Sequence, residues 1–161
     1  FKSEYGWGKG FVREGGIRVP TIAAWPGKIE AGTTTDHISA FWDFFPTFAE
    51  VAGAELPTSQ RLDGISLLPT LLGKTQQKHD FLYWEFPETG GQQALRIGPW
   101  KGVILDMNKG NTEMELYNLE EDPQEQNDLA TEYPELVDSI RQIMASQHTP
   151  AVIERWKIKG L

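Results

Sequence analysis

The chain lacks cysteine, which excludes disulfide bonds and zinc sites built from thiolates. Its three histidines are too dispersed for an H-x-H or H-x-x-x-H metal motif, and we assign His37, His79 and His148 to surface or packing roles. No apolar run approaches the ~20 residues that span a bilayer. Basic residues are scattered and outnumbered, 15 against 23 acidic ones. Neither a membrane span nor a nucleic-acid partner is therefore expected.

Apolar and aromatic residues are plentiful. The 161 residues include six Trp and eight Phe, a composition typical of a folded protein rather than a disordered segment. This length suits one ordinary domain, or one small domain plus a piece of a larger one.

The first half of the chain reads as a strand followed by helices. Residues 19–25 form an apolar run closed by Pro26-Gly27, which predicts a buried strand. Asp43 is a candidate cap for a helix that ends at Gly53. A short helical turn is predicted near residues 67–72.

The second half reads as an antiparallel sheet covered by a helix. Aromatic and branched residues predict four strands, and turn formers separate the first three. Pro134 opens a helix whose apolar residues repeat along one face, which we expect to pack on the sheet. The predicted strands are 80–86, 93–97, 100–105 and 115–119.

The most informative stretch is G-K-G-F-V-R-E-G-G-I-R-V-P, residues 8–20. It resembles the lysine motif of the type I sulfatases, in which the lysine grips the sulfate group. The resemblance continues in order along the chain through W-P-G-K-I, D-F-F-P-T, D-G-I-S, L-Y-W-E-F and E-L-Y-N-L, which begin at residues 25, 43, 63, 82 and 115. It implies an α/β fold, with residues 1–74 ending the large domain and residues 75–161 forming a small α+β subdomain.

Lys9 is the residue to which the resemblance assigns catalysis. Cleavage of a sulfate ester shifts charge among the sulfuryl oxygens and onto the leaving oxygen, and a compact ammonium beside them stabilises the transition state. Gly8 and Gly10 would let the ligand approach closely. Glu14 and Arg18 flank the Gly-Gly turn. They could pair with each other or satisfy backbone groups, and either contact would hold the lysine loop in place.

The loop of residues 86–93 is a candidate wall of the substrate pocket. Glu88, Gln92 and Gln93 could hydrogen-bond sugar hydroxyls, whereas an ordinary hairpin connection is the alternative interpretation. No metal ligands are predicted within the chain. The resemblance implies Ca²⁺ and a formylglycine nucleophile, both supplied by an N-terminal part of the same polypeptide.

These observations predict the C-terminal part of a sulfatase that acts on a sulfated small molecule or glycan. Alone, this part should be inactive. Family resemblance favours the periplasm or the exterior of the cell. Two alternatives stay open at this point: a phosphatase or phosphonate hydrolase of the same superfamily, and a non-catalytic binding or assembly module.

Overall fold

A computed structural model describes residues 8–161, which form two compact units. One unit combines residues 8–19 with residues 81–161, and the other comprises residues 20–80. The lysine motif therefore packs within the same unit as the predicted sheet. The predicted division of the longer protein at residues 74 and 75 stays a prediction.

The first unit is built on a four-stranded antiparallel sheet with strands in chain order. The predicted strands and their antiparallel meander are confirmed, with ends that differ by at most two residues. Each strand contains aromatic or branched residues, which fit a pleated and half-buried surface. The strands are β1 (Leu82–Phe86), β2 (Gln92–Ile97), β3 (Trp100–Ile104) and β4 (Glu115–Asn118).

One face of this sheet is covered by a helix, Pro134–Gln147. Its apolar face packs on a core that includes Leu95, Leu116, Ile140 and Met144. Gly102 in β3 makes this close packing possible, because a Cβ there would lie 2.9 Å from Cγ2 of Ile140 in the helix and 2.7 Å from the Met114 sulfur. The predicted packing of the helix on the sheet is confirmed.

The opposite face is covered by the segment that carries the lysine motif. Side chains alternate between the two faces of a strand, so Ala94, Val103 and Tyr117 point away from the helix. They form a second buried cluster with Val12 and Leu119. Just after Val12 the chain makes one helical turn, α1 (Glu14–Ile17), where the sequence predicts a Glu-Gly-Gly turn.

The second unit contains α2 (Phe44–Ala52) and the single turn α3 (Leu68–Leu71), so the helix at Pro134–Gln147 is α4. The predicted stop at Gly53 is confirmed, with the left-handed φ of 65° that favours glycine.

The prediction that Asp43 caps α2 with its side chain is wrong. Asp43 occupies the capping position, but its carboxylate makes no bond to the first turn of α2. It accepts hydrogen bonds from the amides of Ala40 and Ile65 and contacts His79 Nε2 at 2.9 Å. Its buried carboxylate thus joins three segments of the second unit.

The apolar run at residues 19–25 does not form a strand within the described part of the chain. Ile22 is 94% exposed, and Val19 is also exposed. A strand requires a neighbour to accept its backbone hydrogen bonds, and residues 8–161 offer this run none. Among the helices of those residues, none has the length and apolar character needed to cross a membrane.

Candidate active site

Lys9 lies at a tight turn with its side chain exposed to solvent. Gly10 follows with a φ of 97°, a conformation that other residues rarely adopt. The chain then folds back closely on itself, because a Cβ on Gly16 would lie 2.1 Å from the Phe11 carbonyl oxygen and 2.7 Å from that of Gly8. Position 16 therefore requires glycine because backbone oxygens lie too close for a side chain, and position 10 favours glycine because of its positive φ.

Gln92 ties the lysine loop to the hairpin between β1 and β2. Its side chain is 1% exposed. The Oε1 atom accepts a hydrogen bond from the Val12 amide, and Nε2 donates to the carbonyls of Gly10 and Thr89, all at 3.2 Å. The predicted contact of Gln92 with substrate stays a prediction, whereas these bonds give its amide a role inside the protein.

Gln93 points to the α4 side of the sheet, away from the lysine motif. Its Nε2 donates to the Tyr83 hydroxyl at 2.6 Å, and that hydroxyl donates to Glu85. Glu85 in turn contacts His148 Nδ1 at 2.7 Å, just after the end of α4. This chain of contacts links β1 and β2 to the end of α4 through Glu85. Burial and the hydrogen bond to Glu85 raise the pKa of Tyr83.

Glu88 is exposed on the hairpin that follows β1. This hairpin is fixed by a neighbouring loop, since the amides of Met107 and Asn108 donate to the carbonyls of Gly91 and Gly90 at 3.0 and 2.8 Å. The structure thus brings Lys9, Gln92 and the Glu88 hairpin together, and it separates Gln93 from them.

Arg13 is directed into the protein rather than toward a ligand. Its Nη1 donates to the Tyr117 hydroxyl at 3.1 Å, its Nη2 bonds to Glu115, and its guanidinium lies 5.4 Å from the centre of the Tyr117 ring. Burial lowers the pKa of Arg13, but the Tyr117 hydrogen bond and the charges of Glu115 and Glu125 more than offset this. Burial also raises the pKa of Tyr117.

A buried ion triad anchors the next residue of the motif. Lys101 Nζ lies 2.8 Å from Glu14 Oε1 and 2.9 Å from Glu125 Oε1. The Glu14 amide also donates to Glu125 Oε2 at 2.7 Å. The predicted pairing of Glu14 with Arg18 is present at 4.0 Å, a longer contact than the one between Glu14 and Lys101.

Sequence reasoning missed Lys101 and Glu125. Lys101 stands at an alternating position of a strand, where lysine usually faces solvent, and Glu125 follows an acidic turn that is typical of a solvated surface. The one available signal was the polar residue at position 101 in phase with Val103.

Residues 8–161 contain no group of three or more histidine, aspartate or glutamate side chains that could hold a metal ion. The buried carboxylates Glu14 and Glu125 are already paired with Lys101. These residues do not fit a Ca²⁺ site.

Residues 3–149 match the family described as N-sulphoglucosamine sulphohydrolase, C-terminal. The chain belongs to this sulphohydrolase family. The match covers most of the sequence, so the predicted resemblance to the C-terminal portion of type I sulfatases is confirmed.

The chain is also similar to individual sulfatases. It is 34% identical to arylsulfatase A of Homo sapiens over 84% of its own length and 31% of that protein. It is 48% identical to the steryl-sulfatase of Rattus norvegicus over 49% of its length and 14% of the relative. The chain thus spans less than a third of these curated relatives.

A solved structure, that of BT4656 in complex with its substrate D-glucosamine-2-N,6-O-disulfate, is similar in fold. The TM-score is 0.63 at 27% identity, over 76% of this chain and 26% of that one. The predicted class of fold, a small antiparallel sheet with helices in a sulfatase-like protein, is confirmed.

Proposed function

We propose that this chain belongs to an enzyme that hydrolyses sulfate monoesters of a carbohydrate or aryl substrate, and that Lys9 holds the sulfate during the reaction. Family membership supports the reaction class. The observation that carries the role of Lys9 is that its ammonium group is exposed while the backbone next to it is held in place. Both polar groups of the Gln92 amide hold the residues that follow Lys9, so the loop is preorganised.

Preorganisation matters because the enzyme must stabilise charge that develops only in the transition state. A lysine on a rigid loop needs little reorganisation when the sulfuryl oxygens gain charge. The neighbouring hairpin is also fixed, so Glu88 is a suitable hydrogen-bonding partner for hydroxyls of the substrate. A sulfated glucosamine is the substrate of the similar protein BT4656, and a sulfated amino sugar is a corresponding candidate here.

The remaining machinery is proposed to come from an N-terminal part of the same polypeptide. Ca²⁺ and the formylglycine nucleophile belong to that part, and an exported compartment fits the family resemblance. The second unit supports such a partner, because α2 and the turn before it expose large apolar side chains. Phe41 is 84% exposed, and Phe45 and Phe48 are also exposed. Contiguous apolar surface of this kind marks an interaction face.

The test is the Lys9→Ala variant of the longer polypeptide, assayed with an aryl sulfate and with glucosamine 2-N,6-O-disulfate. Loss of one electrostatic donor should lower kcat by about 10²- to 10³-fold. Lys159→Ala, which removes another exposed lysine of the same unit, is the matched control and should leave kcat unchanged.

Unchanged turnover in Lys9→Ala would contradict the proposed role. The 161-residue chain alone should show no turnover. Sulfatase activity of this chain that Lys9→Ala abolishes would show that it contains a nucleophile of its own. Preference for the matching aryl phosphate or phosphonate ester would favour the related hydrolases, and no turnover of any ester by the longer polypeptide would favour a binding module.

A further inference from the structure

We infer that Lys101, held between Glu14 and Glu125, is a positioning residue that sets the placement of Lys9 through the backbone of the lysine motif. The inference rests on the proposed function of Lys9. It assigns a purpose to three buried charges that the reaction itself does not use.

The triad is unusual for the interior of a small domain. Lys101 is 0% exposed, and both carboxylates beside it are buried. Moving these groups out of water is costly, and a buried ion pair is often no more stabilising than apolar side chains of similar volume. Position 101 shares its sheet face with Val103 and Tyr117, where an apolar residue would pack well. The charges therefore do not serve stability alone.

The backbone at Glu125 gives an independent indication. Its φ is 58°, a left-handed conformation that costs free energy in residues other than glycine. In this conformation its carboxylate reaches both Lys101 Nζ and the amide of Glu14. The strained backbone at Glu125 therefore brings a buried carboxylate to the first turn of α1, as expected if the triad holds that turn in position.

The path from the triad to Lys9 is short and continuous. Glu14 is fixed by the triad, and Arg13 by Tyr117 and Glu115. Val12 and Gly10 are fixed by Gln92. Lys9 is the next residue, and its side chain is exposed. A shift of Glu14 therefore has few ways to relax before it reaches the ammonium group.

The test is a double-mutant cycle in the longer polypeptide with Lys9→Ala and Glu125→Gln. Glutamine keeps the shape and an acceptor for the Glu14 amide but removes the charge that holds Lys101. We expect Glu125→Gln to lower kcat by about 10- to 100-fold, the cost typical of a displacement near 1 Å. In the Lys9→Ala background the same change should lower kcat far less, because the group that it positions is gone.

Two further variants separate positioning from stability. Lys101→Met should reproduce the loss of kcat if the protein folds. Met144→Ala, in the core on the α4 side of the sheet, should lower stability but leave kcat per folded molecule unchanged.

Each outcome bears on the inference. Normal kcat in Glu125→Gln, or an equal loss in both backgrounds, would overturn it while leaving the proposed role of Lys9 intact. Failure of Glu125→Gln to fold, with Met144→Ala folded, would overturn it as well, since the triad would then be an element of stability. Normal kcat in Lys9→Ala would instead refute the proposed function.

Discussion

Both faces of the four-stranded sheet carry buried residues, but the two cores differ in chemistry. On the α4 face the core is formed by aliphatic and methionine side chains, including Leu95, Leu116 and Ile140. On the face that carries the lysine motif, a smaller apolar cluster lies beside Lys101 and its two carboxylate partners. Apolar contacts are non-directional, whereas ion pairs and hydrogen bonds require particular distances and angles.

This difference teaches that the α4 face stabilises the domain by burying apolar groups, whereas the motif face holds a segment in place through buried charges that are costly to leave unpaired. The α4 face tolerates exchange of apolar groups of similar volume. The motif face binds a segment that lies far from the strands in sequence and must present one lysine in a defined place. Substitutions on the two faces separate these roles, in order of the expected effect.

The largest loss of stability is expected on the motif face, for Lys101→Met in the 161-residue chain. Removing the cation leaves two buried carboxylates unpaired, which should lower the free energy of unfolding by about 3 to 5 kcal/mol. Neutralising Glu14 and Glu125 as glutamines in the same chain should recover most of this loss. Urea unfolding followed by circular dichroism measures both. If the neutral triple variant stays as unstable as Lys101→Met, the charges contribute to stability more than we propose.

On the α4 face, Ile140→Ala should lower the free energy of unfolding by about 2 to 5 kcal/mol, because it removes a fully buried side chain and leaves a cavity. Ile143→Ala, on the same helix but only half-buried, is the matched control and should cost less. The same urea titration applies. Equal losses at the two positions would show that α4 is not packed as the structure describes.

The smallest effect is expected for the hydroxyls of two tyrosines, the partly buried Tyr83 on the α4 face and the buried Tyr117 on the motif face. Each has a raised pKa in the folded chain. Above the ordinary tyrosine pKa near 10, the unfolded chain loses these protons while the folded chain keeps them. Stability therefore falls as pH rises, by at most about 1.4 kcal/mol per pH unit for each tyrosine.

Tyr83→Phe and Tyr117→Phe should each remove part of this alkaline decline. Urea midpoints measured between pH 9 and 11 give the slope for the parent and for both variants. A slope that neither substitution changes would show that the two hydroxyls ionise as readily in the folded chain as in the unfolded one.

Local pattern predicted the elements of the sheet unit well. Pro134 and the apolar repeat after it determine α4, and the spacing of turn residues separates the first three strands, because both signals arise from neighbours in sequence. The strand expected at residues 19–25 is absent from the described chain, since a strand also needs a partner. Asp43 was recognised as a polar residue at a helix start, but its bonds to Ile65 and His79 depend on contacts distant in sequence.

The candidate site divides in the same way. The motif around Lys9 was readable because its glycines and its lysine are adjacent in sequence. The burial of Gln92 could not be predicted, because it depends on contacts with residues 10 and 12, which lie about 80 positions away in the sequence.

The sequence by itself determined the order of strands and helices and the identity of the lysine motif, since both depend on short-range spacing and backbone preference. Only the tertiary structure decided that Lys101 is buried and that Glu125 accepts a hydrogen bond from the Glu14 amide. The physical reason is that the cost of burying a charge depends on the groups that surround it, and these come together only when residues 8–19 pack on the sheet.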